Sequence, residues 1–147
     1  MNFKYAADKE YFEKNVFGRK LKVEDIETYF DFSNPNQKRF EFNKIRNKIY
    51  RTLLSRYGKV CFLKIENICN EKSGFDVDHL IPLSSNVLNK KLRKIKPSRG
   101  QKVPTQSFGS NNLKNLIIAC KKCNAHKKHN FPTIEQVRNI EKAKQNL

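Results

Sequence analysis

The stretch LIIACKKCNAHKKHN, residues 116–130, changes character twice in fifteen positions. Leu116 to Ala119 form a short apolar run suited to a buried strand, Cys120-Lys-Lys-Cys123 has the spacing of a metal knuckle, and NAHKKHN has helical rather than strand character. Strand, knuckle and helix therefore follow one another without a linker. A tetrahedral zinc site needs four ligands and this pair supplies two, so the other two must come from elsewhere.

The remaining cysteines, Cys61 and Cys69, precede a second strand signal. GFDVDHLIP at 74–82 alternates Phe75 and Val77 with Asp76 and Asp78, and Pro82 closes it. If the two strands pair antiparallel, the lead-in to the first returns beside the knuckle. Cys61, Cys69, Cys120 and Cys123 can then converge on one structural Zn²⁺, with His126 and His129 as fallback ligands should Cys61 stay out. No 18-residue apolar run occurs, and the start MNFKYAADKEYF has neither a signal-peptide core nor a myristoylation pattern. These features predict a cytoplasmic protein without a membrane partner, in whose reducing compartment four cysteines read as metal ligands or buried thiols rather than disulfides.

The net charge of +17 is unevenly spread. Residues 1–41 balance eight bases with eight acids, whereas the other 106 residues hold 23 bases against six acids. That excess is the footprint of a polyanion-binding protein. Between the two strand signals lies NKKLRKIKPSRGQK, in which Lys90, Lys91, Arg93, Lys94, Lys96, Arg99 and Lys102 meet no acid. In isolation this run reads as mobile and solvated; beside DNA it would neutralise phosphates and give a steep salt dependence.

At 147 residues the chain suits one α+β domain. VEDIETYF at 23–30 predicts a short helix with Val23, Ile26 and Phe30 on one face. Asn34-Pro35 predicts the cap and first position of a longer helix, whose stripe of Phe42, Ile45, Ile49 and Leu53 runs to Gly58. Thr133-x-x-Gln136 is a capping box opening a terminal helix with Ile134, Val137 and Ile140 inward. The expected order is an N-terminal helical region at 1–57, a candidate for dimerisation and, through the helix at 35–57, for DNA contacts, then a core at 58–131 with a long basic insertion at 84–110, and a C-terminal helix at 132–147.

Asp78-His79 carries candidate chemistry. A carboxylate can hold a hard divalent cation while a neutral imidazole takes a proton from water, provided that His79 sits where strand yields to loop. The pieces in order resemble the HNH endonucleases, or ββα-metal nucleases, over roughly residues 55–130. VDHLIP at 77–82 is similar to the family's first strand, and NNLKNLIIACKKCNAHK at 111–127 to its asparagine-bearing second strand, Cys-x2-Cys and helix. Two features depart from that pattern: seven residues separate Cys61 from Cys69, and 36 positions separate His79 from Asn115.

The resemblance implies a ββα-metal core with a structural zinc site and flanking α-helices, acting as a metal-dependent DNA endonuclease. In it His79 is the general base, and Asp78 and Asn124 hold a catalytic Mg²⁺ or Mn²⁺. Asn115 is the central asparagine that braces the loop between the strands. Lys127 and Lys128, with the basic insertion, would touch phosphate. A small restriction endonuclease on double-stranded DNA suits this best, a phage or mobile-element nuclease comes next, and a non-catalytic zinc module that binds nucleic acid is the rival from another class. A palindromic target would favour a homodimer, with the aromatic-rich residues 1–41 as the dimer surface.

Overall fold

A computed structural model describes residues 2–145, so Met1 and the last two residues of the expected terminal helix, Asn146 and Leu147, lie outside the described residues. The fold is mixed α and β, with six α-helices and two small antiparallel sheets among the described residues. Strand β1 (Phe75–His79) pairs with β4 (Leu116–Cys120) from Phe75 opposite Cys120 to His79 opposite Leu116. Helix α5 (Lys121–Lys127) follows β4 at once, with the Cys120 sulfur accepting from the Cys123 N–H as its cap. Strand, strand and helix thus come together as the spacing around the knuckle predicts.

Every residue of β4 is buried because both faces of the sheet are covered. On one face Val77, Leu116 and Ile118 meet Phe42 and Leu53 of the long helix α3 (Pro35–Tyr57). Asn34 caps α3 by accepting from the N–H groups of Asn36 and Gln37, and Gly58 ends it with φ 77°. On the other face Ile117 and Ala119 join an aromatic core built largely from the N-terminal region. There α1 (Ala6–Phe12), a π-helical turn at Glu13–Phe17 and α2 (Val23–Tyr29) bring Phe12, Phe17, Tyr29 and Phe30 together. Phe12 packs on Phe30, Phe108 and Phe131 with ring centroids 4.8–5.2 Å apart.

Three expectations need correction. Val23 and Ile45 fit the apolar periodicity but are 68% and 39% exposed, since α3 buries Phe42 and Leu53 on either side of Ile45 and α2 buries its C-terminal end at Tyr29 rather than its first residue. The aromatic side chains of residues 1–41 proposed as a dimer surface are largely spent on this intramolecular core. The basic insertion is also folded rather than a free loop. Ser84–Ser85 (β2) pairs with Gln106–Ser107 (β3), and Val87–Lys91 forms α4, which buries Leu88.

Within that insertion Arg93 turns inward. Its guanidinium binds both carboxylate oxygens of the buried Asp8 at 2.9 and 3.1 Å and also reaches Gln106 and Asn89. Arg93 is therefore a tether from the insertion to α1, its guanidinium taken up by Asp8, Asn89 and Gln106. Lys90, Lys91, Lys94, Lys96, Arg99 and Lys102 remain exposed around it. Gly109 closes the insertion against the loop after β1, where any Cβ would run into the Ile81 carbonyl.

The last helix, α6 (Ile134–Gln145), opens with the expected reciprocal bonds between Thr133 and Gln136 and buries Val137 and Ile140. Arg93→Ala is expected to cost about 3 kcal/mol of folding free energy, since it strands the Asp8 carboxylate without its partner. Lys94→Ala should change chemical denaturation negligibly, and equal midpoints for the two variants would refute the tether.

Candidate metal centre and adjoining cleft

The four cysteines meet at one end of the β1–β4 sheet. All four are free thiols, and their sulfurs lie within 4.8 Å of one another. Cys69 Sγ and Cys120 Sγ are 3.9 Å apart, close to the separation of about 3.8 Å that a tetrahedral site with Zn–S bonds of about 2.3 Å requires. Four close cysteines could therefore hold a metal ion, consistent with a structural zinc. Cys61 belongs to the set despite its long spacing, because Lys64 and Asn67 take left-handed φ of 45° and 64° and coil the intervening residues back. His126 and His129 are not in the group.

Backbone amides point at the sulfurs as they do around anionic thiolates. Lys64 N–H donates to Cys61, Ile65 N–H to Cys123, and Asn70 N–H to Cys120, at 3.4–3.5 Å. Burial acts to raise the Cys120 pKa, but the N–H groups of Cys123 and Asn70 outweigh it and bring it down to about 6. Local desolvation pushes the Sγ of the otherwise exposed Cys69 up to about 11, with Cys61 beside it adding to the shift. A bound cation would favour the thiolate form of these sulfurs.

The opposite end of β1 opens into a cleft of about 370 Å³ between α3 and α5. Asp78, His79 and Asn124 all line it, with Arg39, Phe42, Asn43 and Arg46 from α3 and Lys128 and His129 beyond α5. Strand alternation places Asp78 and His79 on opposite faces, yet both reach the cleft because β1 ends at His79. The His79 ring lies edge-on to Phe42 with centroids 4.6 Å apart, and its Nε2 is 2.8 Å from Asn111 Oδ1. Asp78 Oδ1 accepts from the His79 N–H, whereas its Oδ2 is buried without a hydrogen-bond donor. Lys127 Nζ lies 3.3 Å from that oxygen but is not aligned to donate to it. Burial raises the Asp78 pKa, the Lys127 charge opposing it. Asp78 thus brings a buried carboxylate, and Asn124 a side-chain amide, to the lining of the same cleft.

One sequence-derived role changes here, and others hold. Lys127, expected on phosphate, is buried and donates at 2.8 Å to the His79 carbonyl, so it fixes the strand end instead. Asn115 keeps the bracing role expected of it and is fully buried. Its Oδ1 accepts from the Ile81 N–H and its Nδ2 donates to the Ile81 and Ser110 carbonyls, so it braces the loop after β1 without lining the cleft. Lys128 does line it. Asn111 and the cleft-facing Arg39 carried no isolated signal, although Arg39, Asn43 and Arg46 at helical spacing could have revealed a polar face.

Lys38 is a further cation that faces inward. This fully buried ammonium donates to the carbonyls of Asp31, Leu83 and Gly109 at 2.6–3.0 Å, holding α3, the insertion and the segment before Asn111 together. Burial brings its pKa down to about 8, against the pull of Asp31. A larger groove of about 840 Å³ lies along α1 and α6, but it contains none of the cleft residues, and its Arg19 is paired with Asp25 and Glu141. Searches of protein-family models, curated proteins and solved structures found no match to this chain.

Native mass spectrometry is expected to find one zinc per chain, lost from Cys61→Ser as readily as from Cys120→Ser. Retention by the Cys61 variant would remove that residue from the ligand set.

Burial is the largest influence on His79. It lowers the pKa to about 4, with the cations Lys127, Arg39 and Lys38 adding and the Asn111 hydrogen bond opposing. Between about pH 6.5 and 4 the unfolded chain takes up a proton that folded His79 refuses, so this residue costs stability as pH falls through that window. An NMR titration from about pH 8 to about 5.5 should leave the ring neutral, whereas protonation near the ordinary value of about 6.5 would contradict its burial.

Proposed function

We propose that this chain is a metal-dependent DNA endonuclease of the HNH, or ββα-metal, type, most in keeping with a small restriction endonuclease. The observation that carries the reading is the meeting of Asp78, His79 and Asn124 in one basic cleft at the end of a strand–strand–helix unit. The four-cysteine cluster and the sequence resemblance over residues 55–130 support it.

In this reading His79 takes a proton from a water placed in line with the scissile phosphodiester. The depressed pKa keeps the imidazole unprotonated at neutral pH, as a general base requires. Asp78 and Asn124 would hold a divalent cation such as Mg²⁺ or Mn²⁺, which supplies neutralisation of charge on the phosphate and on the departing 3′ oxygen. Arg39 and Arg46 on α3, with Lys128 opposite, would contact the backbone phosphates on either side. Lys90, Lys91, Lys94, Lys96, Arg99 and Lys102 extend that contact along the exposed insertion. A structural Zn²⁺ held by Cys61, Cys69, Cys120 and Cys123 would take no part in the chemistry and would keep β1, β4 and α5 in register. The resemblance implies 5′-phosphate and 3′-hydroxyl ends.

Incubating the purified chain and supercoiled plasmid with Mg²⁺ or Mn²⁺ tests this reading. The wild type should nick or linearise the plasmid. His79→Ala should lose about 10²-fold or more in rate while still shifting DNA on a gel. Replacing Arg39 and Arg46 by Gln should weaken DNA binding and lower its salt slope by about one unit per lost phosphate contact. Equal affinity for wild type and His79→Ala without nicks from either would replace the nuclease with a non-catalytic nucleic-acid-binding module.

A further inference from the structure

Asn111 joins two elements that precede it in the chain by 32 and 73 positions. Its Nδ2 donates to the Lys38 carbonyl of α3 at 2.9 Å, and its Oδ1 meets His79 Nε2 at 2.8 Å. The first contact fixes which way the amide faces, since only the nitrogen end of an amide can donate to a carbonyl. The oxygen is then the atom presented to His79, and an oxygen can only accept. The neutral imidazole must therefore carry its hydrogen on Nε2, which leaves the lone pair on Nδ1.

We propose that Asn111 is the positioning residue of this site, holding His79 in the Nε2–H tautomer so that Nδ1 is the atom that accepts the proton from water. The inference rests on the nuclease reading for its catalytic meaning but not for its geometry. The arrangement is held from behind. Lys38, whose carbonyl anchors Asn111, is pinned by its own ammonium to the carbonyls of Asp31, Leu83 and Gly109. Gly109 lies two residues before Asn111 and Asn115 follows four residues after, the latter bound to Ser110 and Ile81. Phe42 closes against the imidazole at 4.6 Å between ring centroids. The ring is thus restrained by one directional bond and one packing contact, and only the bond distinguishes its two nitrogens.

Long-range ¹⁵N–¹H correlation NMR of His79 in the wild-type protein tests the tautomer without any substitution. The expected pattern is a protonated Nε2 and an unprotonated Nδ1, and the opposite pattern would overturn the proposal. Asn111→Ala should blur that pattern and lower kcat by about tenfold to a hundredfold with KM changed less than about twofold, at unchanged zinc content. Asn111→Asp keeps an acceptor oxygen and should retain the Nε2–H pattern that Asn111→Ala loses. An unchanged kcat in Asn111→Ala would end the positioning role. A wild-type chain that cuts no DNA but shows the expected tautomer would fail the nuclease reading alone.

Discussion

Four sulfurs held within 4.8 Å of one another are the constraint on which the rest of this structure depends. Turning more than one of these thiols into a thiolate would set like charges side by side, and burial of three of the four removes the water that would screen them, so a cation at their centre would favour the ionised set. What a cation there would secure is register. Cys120 stands opposite Phe75 at one end of the sheet, and His79 stands opposite Leu116 at the other, about 13 Å away along the strands. A slip of one residue would turn Asp78 and His79 to the wrong faces. A two-stranded sheet is too small to resist this by itself, and the cluster together with α3 and the aromatic core supplies the resistance.

The polar interior repeats one device. Lys38 holds three backbone carbonyls at the start of the segment that leads to Asn111, and Lys144 of α6 holds those of Leu113, Lys114 and Leu116 at its end. Lys127 holds the His79 carbonyl. Each ammonium gathers acceptors that an irregular segment would otherwise leave unsatisfied. Burial pulls Lys144 down to about 7, with Arg56 and Lys114 adding to the effect. These lysines are scaffold, and a part of the +17 charge is therefore unavailable to any polyanion.

The same lesson applies to the N-terminal region. Its balanced charge and many aromatic rings suggested a surface for a second copy, yet the rings complete the core that covers the far face of β4. Asp8 then ties this region to the insertion through Arg93. The insertion, α1 and the cleft are thereby parts of one body, with the exposed lysines carried on an anchored arm.

Local patterns told the strand pair, the knuckle, the caps of α3 and α6 and the candidate trio Asp78, His79 and Asn124, because alternation, ligand spacing and capping chemistry act over a few neighbouring residues. The antiparallel pairing and the convergence of Cys61 with the other three cysteines were legible as possibilities and became definite only in the folded chain. The sequence could not tell which cations turn inward. Lys127 and Lys128 are adjacent and alike in composition, but one faces the Asp78 carboxylate and the other the open cleft, according to where α5 ends. Nor could it single out Asn111 among neighbouring asparagines, since its two partners come from α3 and β1. Burial and hydrogen-bond direction are properties of packed surfaces, and only the tertiary structure brings those surfaces together.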